Sequence, residues 1–245
     1  MTMLPTVRAK SVFWASVLCL SFCLGCATSS LAPSQFTGLS KTFAEESDLP
    51  KNTSDELPPK DAARACMAAA EELQNNGHTQ QAIPLYEKAR NYDPSLKSVS
   101  HHLAVLYDAQ GDSTRSLAEY NKALESDPKN PNLLSDIGYY YYERENFAEA
   151  ERFLRKALTI DPNHLKALSN LGLVLGRQGR FGESFELFSK VVGPAAAHSN
   201  IGVLMAKQGR YDEAKQAFHQ ALTMDATLQQ PKVFLAYLDS RQPHS

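Results

Sequence analysis

Cysteine is scarce in this 245-residue sequence and unevenly placed. Cys19, Cys23 and Cys26 lie in the first segment, and Cys66 is the one cysteine that follows them. A framework of disulfides within the rest of the chain is therefore excluded. Cys23 and Cys26 have the C-x-x-C spacing of some metal and redox sites, but they lie in an apolar run without a second pair of ligands. We predict no metal site.

Charge of one sign is also lacking, since 25 Lys and Arg residues face 27 Asp and Glu residues, for a formal net charge of −2. This balance gives no reason to expect binding to nucleic acid. The P-loop and the H-E-x-x-H motif are absent, and the adjacent His101 and His102 have no matched acid or thiol in the sequence. We predict no catalytic residues, no cofactor and no small-molecule substrate. A hydrolase would need one of these two histidines.

Residues 1–25 are predicted to be a signal peptide. Arg8 and Lys10 precede an apolar run at 11–25, SVFWASVLCLSFCLG. A short basic stretch before an apolar run that is too short to span a bilayer comfortably is the design of a secretory signal. The chain is therefore expected to be exported.

The end of this run resembles the bacterial lipobox, in which a cysteine is lipidated and becomes the new N-terminus. Gly25 and Cys26 match it, whereas Cys23 stands where leucine is usual. The resemblance implies a lipid attached at Cys26 and a membrane anchor, for which more than one acyl chain is required. The alternative is ordinary cleavage after Ala27, which gives a secreted or periplasmic soluble protein.

Residues 26–60 are predicted to be a lipidated N-terminus followed by a disordered tether. They are rich in Ser, Thr, Pro, Lys and acidic residues, without sustained periodicity. About 34 flexible residues span roughly 30–35 Å from end to end. The expected location is the bacterial cell envelope, on the periplasmic side of the outer membrane.

The rest of the chain repeats with a period of 34 residues. Three sets of small residues and one set of prolines follow this period, and apolar residues between them recur at helical spacing. The sets are Ala70, Ala104, Gly138 and Gly172; Ala82, Ser116, Ala150 and Ser184; Ala89, Ala123 and Ala157; Pro94, Pro128 and Pro162. Small side chains let antiparallel helices pack closely, and proline ends the second helix of each unit. A glycine that suits the end of the first helix stands at mid-unit, with Glu145 in its place in the third unit.

This pattern resembles the tetratricopeptide repeat over residues 63–226. The resemblance implies an all-α, right-handed superhelical solenoid of about five helix-turn-helix units at 61–228. The predicted units are 63–96, 97–130, 131–164, 165–194 and 195–228, followed by a capping helix at 229–240 and a tail at 241–245. The sequence departs from the family in lacking the tryptophan near each unit start and in Ala226, where a fifth proline is expected.

The fourth unit is four residues short, because Gly172 and Gly202 are only 30 residues apart. Gly193 and Pro194 lie inside the shortened stretch, and we expect them to end the second helix about one turn, roughly 5.4 Å, early. The next helix is expected to start at Ala195. The repeat resumes in phase, so the stretch is a trimmed connection and not a domain boundary.

The resemblance implies that the first helix of each unit lines a concave groove. Asn170 and Asn200 occupy a position where asparagine holds a peptide backbone in several repeat proteins, although asparagine is also common there without a ligand. An amide can donate to a carbonyl and accept from an N–H at once. Tyr139 and Tyr142 are candidate anchors for a partner, or they fill the groove. Tyr140 is expected to pack against a neighbouring helix.

Charges on the inward positions are uneven. Lys166, Arg177 and Lys207 lie in the last two units, and acidic residues including Asp108 and Asp136 lie in the first three. We expect a ligand with an acidic end toward the C-terminal units to be favoured. The carboxylate clamp of chaperone-binding members is not reproduced.

The predicted function is a non-catalytic, membrane-anchored scaffold that binds a peptide or helix of a partner protein in its groove. Lipoproteins of pilus and secretion-system assembly are modestly similar, so assembly of such an envelope complex is the first expectation. The alternative is a scaffold or regulator for cell-wall or polysaccharide-export enzymes.

Overall fold

The computed structural model describes residues 57–240, which contain eleven helices and no strand. The helices are α1 (Pro59–Asn75), α2 (Thr79–Tyr92), α3 (Ser98–Ala109), α4 (Ser113–Ser126), α5 (Pro131–Glu143), α6 (Phe147–Ile160), α7 (Leu165–Arg177), α8 (Phe181–Val192), α9 (Pro194–Lys207), α10 (Tyr211–Met224) and α11 (Gln229–Ser240). The predicted signal peptide, Cys26, nearly all of the tether and the tail lie outside the described residues.

Successive helices pack as antiparallel pairs, α1 with α2 through α9 with α10. First helices also contact the first helix of the next unit, most extensively α5 with α7. The predicted fold class is confirmed: an all-α solenoid of five helix pairs with a terminal helix.

The small residues of the repeat lie where two helices of a pair touch. Ala70 and Ala104 are fully buried. At Gly138, a Cβ atom would lie 2.5 Å from Cγ of Leu154, and at Gly172 it would lie 2.8 Å from Cε1 of Phe188. Helices this close have no room for a larger side chain, which explains the 34-residue spacing of small residues.

The turn between the helices of a pair requires a left-handed backbone. Four units have glycine there, at φ of 78° or 79°. The third unit has Glu145 at φ 56°, the one non-glycine residue with positive φ in residues 57–240. A left-handed conformation costs an L-residue roughly 1–2 kcal/mol, so this turn is held in a strained state.

The terminal helix α11 covers the last pair. Its buried residues are Pro231, Phe234, Leu235 and Leu238. The ring of Phe234 stacks on Phe218 of α10 with centroids 5.4 Å apart. The helix thus supplies the apolar contacts that a sixth repeat would make.

The shortened fourth unit differs from the expectation. Helix α8 has 12 residues against 14 in α6 and α10, so it loses two residues and not a full turn. Most of the shortage lies in the connection, since Gly193 alone joins α8 to α9, and α9 starts at Pro194 and not at Ala195. Gly193 has φ 79° and ψ 163°, a region open essentially to glycine alone, which lets one residue reverse the chain.

Two further findings concern residues 57–240 only. None of their helices combines the length and the apolar character needed to cross a bilayer. Their His, Cys, Asp and Glu side chains form no group of three or more that is arranged to hold a metal ion.

Candidate functional site

The rings of Tyr139 and Tyr142 form an aromatic pair on the first helix of the third unit. Their centroids are 5.8 Å apart, and Tyr142 also lies 6.1 Å from the ring of Phe147 at the start of α6. Tyr139 is 38% exposed. Burial, followed by the charge of Glu143, raises the pKa of the Tyr139 hydroxyl, so it stays protonated and able to donate.

Tyr140 and Tyr141, which lie between Tyr139 and Tyr142 in the sequence, pack against other helices. Tyr140 is buried and donates its hydroxyl hydrogen to the carbonyl oxygen of Ser113 at 3.2 Å. Tyr141 stacks on Phe153 with centroids 5.7 Å apart. The prediction that Tyr140 packs against a neighbouring helix is confirmed, because Ser113 begins α4.

Each of the next two units ends its first helix with a cation, and the cation of the fourth unit lies beside the aromatic pair. Arg177, the last residue of α7, donates from Nη2 to Oε1 of Glu145 at 2.8 Å, and its Cζ lies 5.7 Å from the Phe147 ring centroid. Lys207 ends α9. Lys207 is exposed, but desolvation by neighbouring atoms, followed by the positive charge of Arg177, lowers its pKa although Glu143 acts against it.

A hydrogen bond between helix ends fixes this arrangement. Gln208, which follows Lys207, donates from Nε2 to the carbonyl oxygen of Gly176 at 2.7 Å. The C-terminal ends of α7 and α9 are therefore tied together. We name the set Tyr139, Tyr142, Phe147, Arg177 and Lys207 the aromatic-basic site.

Lys166 does not join this site. Its Nζ pairs with Oδ1 of Asp136, and Oδ2 of Asp136 lies 2.8 Å from Nε2 of His101. Arg144 likewise donates to Asp108 at 2.7 Å. Much of the charge at the inward positions is thus paired within the protein. The difference in charge between the first three units and the last two is therefore smaller than the sequence predicts.

The two asparagines have different environments. Asn170 is buried and donates from Nδ2 to Oγ of Ser135 at 3.3 Å, so its amide already has a partner in the preceding unit. Asn200 is half-buried, and within residues 57–240 its side chain forms no hydrogen bond. The role of both in binding a peptide backbone stays a prediction.

Family comparison assigns the repeats. Models described as tetratricopeptide repeat match residues 67–131, 131–164, 164–192 and 195–227. The chain belongs to the tetratricopeptide repeat family. Membership of this family implies a concave groove lined by α1, α3, α5, α7 and α9, and all of the aromatic-basic site but Phe147 comes from these helices.

Solved structures of tetratricopeptide repeat proteins resemble this one at low sequence identity. PilF of Pseudomonas aeruginosa is 23% identical with a TM-score of 0.56, covering 76% of this chain and 95% of its own. PilW, a type IV pilus biogenesis factor, is 19% identical with a TM-score of 0.58 over 75% of this chain and 94% of its own. YrrB, described as having an unusual peptide-binding site, is 20% identical with a TM-score of 0.53 over 71% and 92%. No curated protein sequence matches significantly.

A second polar network on the repeats was not anticipated from the sequence. Tyr86 donates its hydroxyl hydrogen to Oε1 of Gln74 at 2.7 Å, and Nδ1 of His102 lies 3.2 Å from both groups. Burial and the neighbouring His101 lower the pKa of His102. Since His101 pairs with Asp136, the statement that the two histidines lack a matched acid is wrong. The partner lies 35 residues away, one repeat plus one position, which is the signal that would have found it.

Proposed function

We propose that this tetratricopeptide repeat protein is a non-catalytic, membrane-anchored scaffold that binds an extended segment or helix of a partner protein in its concave groove. The proposed setting is the assembly of an envelope complex such as a pilus or a secretion system. Tetratricopeptide repeats are in general protein-interaction scaffolds. What we propose for this chain is its membrane anchor, its binding site in the groove and its place in an envelope complex.

The observation that carries the proposal is the aromatic-basic site. Aromatic side chains with polar tips and arginine are the residue types that dominate binding energy at protein interfaces. Here Tyr139 is exposed next to Tyr142 and Phe147, and Arg177 lies over the edge of the same surface. Tyr140 and Tyr141 pack inside the protein and Tyr142 is half-buried against the core, so Tyr139 is the member of the pair that is exposed to a partner.

Two lines of support point to the envelope. The first is the predicted signal peptide with its lipobox-like end at Cys26. The second is the likeness of fold to PilF and PilW, the latter a pilus biogenesis factor. At 23% and 19% identity this likeness guides the choice of experiment and does not name the partner.

Lipidation is tested by metabolic labelling with a radioactive fatty acid. We expect label in the full chain and none in Cys26→Ser, which should move from the membrane fraction to the soluble fraction. A Cys26→Ser protein that stays in the membrane fraction contradicts the lipid anchor.

Partner binding is tested by affinity capture from the source cells, with the full chain compared with Tyr139→Ala. The matched control is Tyr92→Ala, which removes a tyrosine of similar exposure, 40% against 38%, from the second helix α2. We expect Tyr139→Ala to lose the captured partner by a factor of ten or more and Tyr92→Ala to keep it. Equal capture by both variants would place recognition away from the groove.

A further inference from the structure

We propose that a cleft between α8 and α10 is a separate docking site, and that it takes a helix of a partner protein with an apolar side chain and a Lys or Arg one turn from it. The walls of the cleft are the second helices of the fourth and fifth units, and α9 is its floor. Since first helices line the groove, this cleft opens on the other side of the solenoid. The inference does not depend on the proposed function, because none of the aromatic-basic site lines the cleft.

One repeat position explains why the cleft exists. It follows the small residue at the start of each second helix and holds Ile83, Leu117, Glu151, Phe185 and Lys215. Between the third and fourth units, Glu151 accepts from Arg180 at 2.9 Å. Between the fifth unit and α11, Lys215 pairs with Asp239 at 2.6 Å. An ion pair therefore spans each of these two joints.

The joint between the fourth and fifth units has Phe185 at this position instead. Arg210 is the repeat equivalent of Arg180, but within residues 57–240 it pairs with Glu213 of α10 and with no carboxylate of α8. Its guanidinium carbon lies 4.7 Å from the ring centroid of Phe181. The ring centroid of Phe185 lies 4.5 Å from that of His198 on α9. The joint is therefore left with an apolar opening where its neighbours have an ion pair.

The cleft has the size of one or two side chains and is mostly apolar. Its volume is about 260 Å³, which is below the roughly 300–1,000 Å³ of sites for small molecules and cofactors. Ile201 in the floor is buried, and Phe185 and Met205 are half-buried beside it. Desolvation lowers the pKa of His198, so this ring is uncharged at neutral pH. The space suits apolar side chains of a partner.

The edges of the cleft are acidic. On α8, the exposed Glu186 lies one turn after Gly182, which lines the cleft. On α10, the exposed Asp212 lies one turn before Gln216, which lines the opposite wall. Neither carboxylate forms an ion pair in the described part of the chain. Lys190, the cation of α8, lies two turns beyond Gly182. A partner with Lys or Arg beside its apolar side chain complements both carboxylates.

A helix matches this shape. Helices α8 and α10 both pack on α9, and an amphipathic helix can lay its apolar face in the groove between two such helices. Residues one turn apart share one face of a helix. An apolar side chain that enters the cleft against Phe185 therefore brings a Lys or Arg one turn away to Glu186 or Asp212.

The experiment selects phage-displayed random peptides of about fifteen residues, roughly the length that an isolated helix needs in water. The full chain is the bait, and peptides that also bind Phe185→Glu are removed. This substitution gives the fourth unit the residue of the third, so we expect Arg210 to bind the new carboxylate as Arg180 binds Glu151 and to close the cleft. Circular dichroism and thermal unfolding check that the variant folds.

We expect the remaining peptides to carry an apolar residue with Lys or Arg one turn away. The matched control is Ile160→Glu, which places the same charge at an exposed apolar position of α6 and should bind these peptides as the full chain does. Glu186→Gln/Asp212→Asn changes exposed residues alone and should bind them several-fold more weakly, with less dependence on salt. The inference is overturned if no peptide remains, or if the double variant binds as tightly as the full chain. The double variant decides alone where Phe185→Glu does not fold.

Tyr139→Ala separates the cleft from the groove. Peptides that depend on Phe185 should bind Tyr139→Ala as they bind the full chain. Selected peptides that lose their binding to Tyr139→Ala lie in the groove, which contradicts a separate site and leaves the proposed function standing.

Discussion

A single oxygen atom distinguishes Ser116 and Ser184 from the alanines at the same repeat position. Both serines are fully buried. Ser184 donates its hydroxyl hydrogen to the carbonyl oxygen of Gly172 at 2.6 Å, whereas Oγ of Ser116 has no hydrogen-bond partner in the described part of the chain. The same substitution therefore has opposite consequences at the two sites.

We expect Ser116→Ala to raise the free energy of unfolding by about 1 kcal/mol, because it removes a desolvated hydroxyl without a partner. Ser184→Ala should lower it by about 1 kcal/mol, because it removes a satisfied buried hydrogen bond. Urea denaturation followed by circular dichroism measures both. A loss of stability at Ser116 equal to that at Ser184 would show that its hydroxyl is satisfied.

Gly202 tests the close approach of helices. A Cβ atom there would lie 2.6 Å from Cε1 of the fully buried Phe218, whereas one at the exposed Gly182 would meet nothing within 4 Å. Gly202→Ala should lower stability by about 1–2 kcal/mol, since overpacking outweighs the helical preference of alanine. Gly182→Ala should raise it by up to about 1 kcal/mol. Thermal unfolding measures both variants. If Gly202→Ala raised the stability, helices α9 and α10 would be able to move apart at little cost in free energy.

At the scale of elements, charged side chains link one unit to the next. Asp136 of α5 joins His101 of α3 to Lys166 of α7, and Glu151 of α6 accepts from Arg180 before α8 at 2.9 Å. These links join side chains of neighbouring units that also pack against each other.

Asp136→Asn should lower stability at pH 7 by about 1–3 kcal/mol, because hydrogen bonds to a charged group are lost. Burial raises the pKa of Asp136, but His101 and Lys166 lower it by more, so the pKa lies below its usual value. The stabilisation is therefore present above the unfolded pKa of about 3.9 and disappears as pH falls through the lower folded value.

Urea denaturation between pH 3 and pH 7 measures how the free energies of unfolding of the full chain and Asp136→Asn differ at each pH. The gap between the full chain and Asp136→Asn should stay constant down to about pH 4 and narrow below it. Asp212→Asn, an exposed substitution on α10, is the control and should change stability by a few tenths of a kcal/mol at most. A gap that widens on acidification would refute the ion-paired state.

At the scale of the molecule, the stability of a repeat array is the sum of the stabilities of its repeats and of the interfaces between neighbouring repeats, so a change in one repeat affects its neighbours most. Leu235 of α11 is buried against the last pair. Leu235→Ala should lower the free energy of unfolding of the last repeat and α11 by about 2–4 kcal/mol. Hydrogen exchange should then quicken most in α9 and α10 and least in α1 and α2. Uniform loss of protection along the chain would indicate one cooperative unit.

The repeat made much of this fold predictable from the sequence. Small residues at 70, 104, 138 and 172 and the mid-unit glycines are determined by local geometry, so their period predicts the helix pairs. The contact of Arg177 with Glu145 was not predictable in the same way, because the two residues lie on adjacent units and meet only once the units stack. The end of α8 was misplaced because Gly193 ends one helix and begins the next.

The one-residue joint at Gly193 also has a consequence for how such a gene can change. Connections of four or five residues separate α2 from α3, α4 from α5 and α6 from α7. Recombination within these connections inserts or deletes a whole 34-residue module and leaves both neighbours intact. The fourth and fifth units share a single residue that completes two helices, so a crossover there damages both. We therefore expect these two units to be inherited as one block, which carries both cations of the aromatic-basic site.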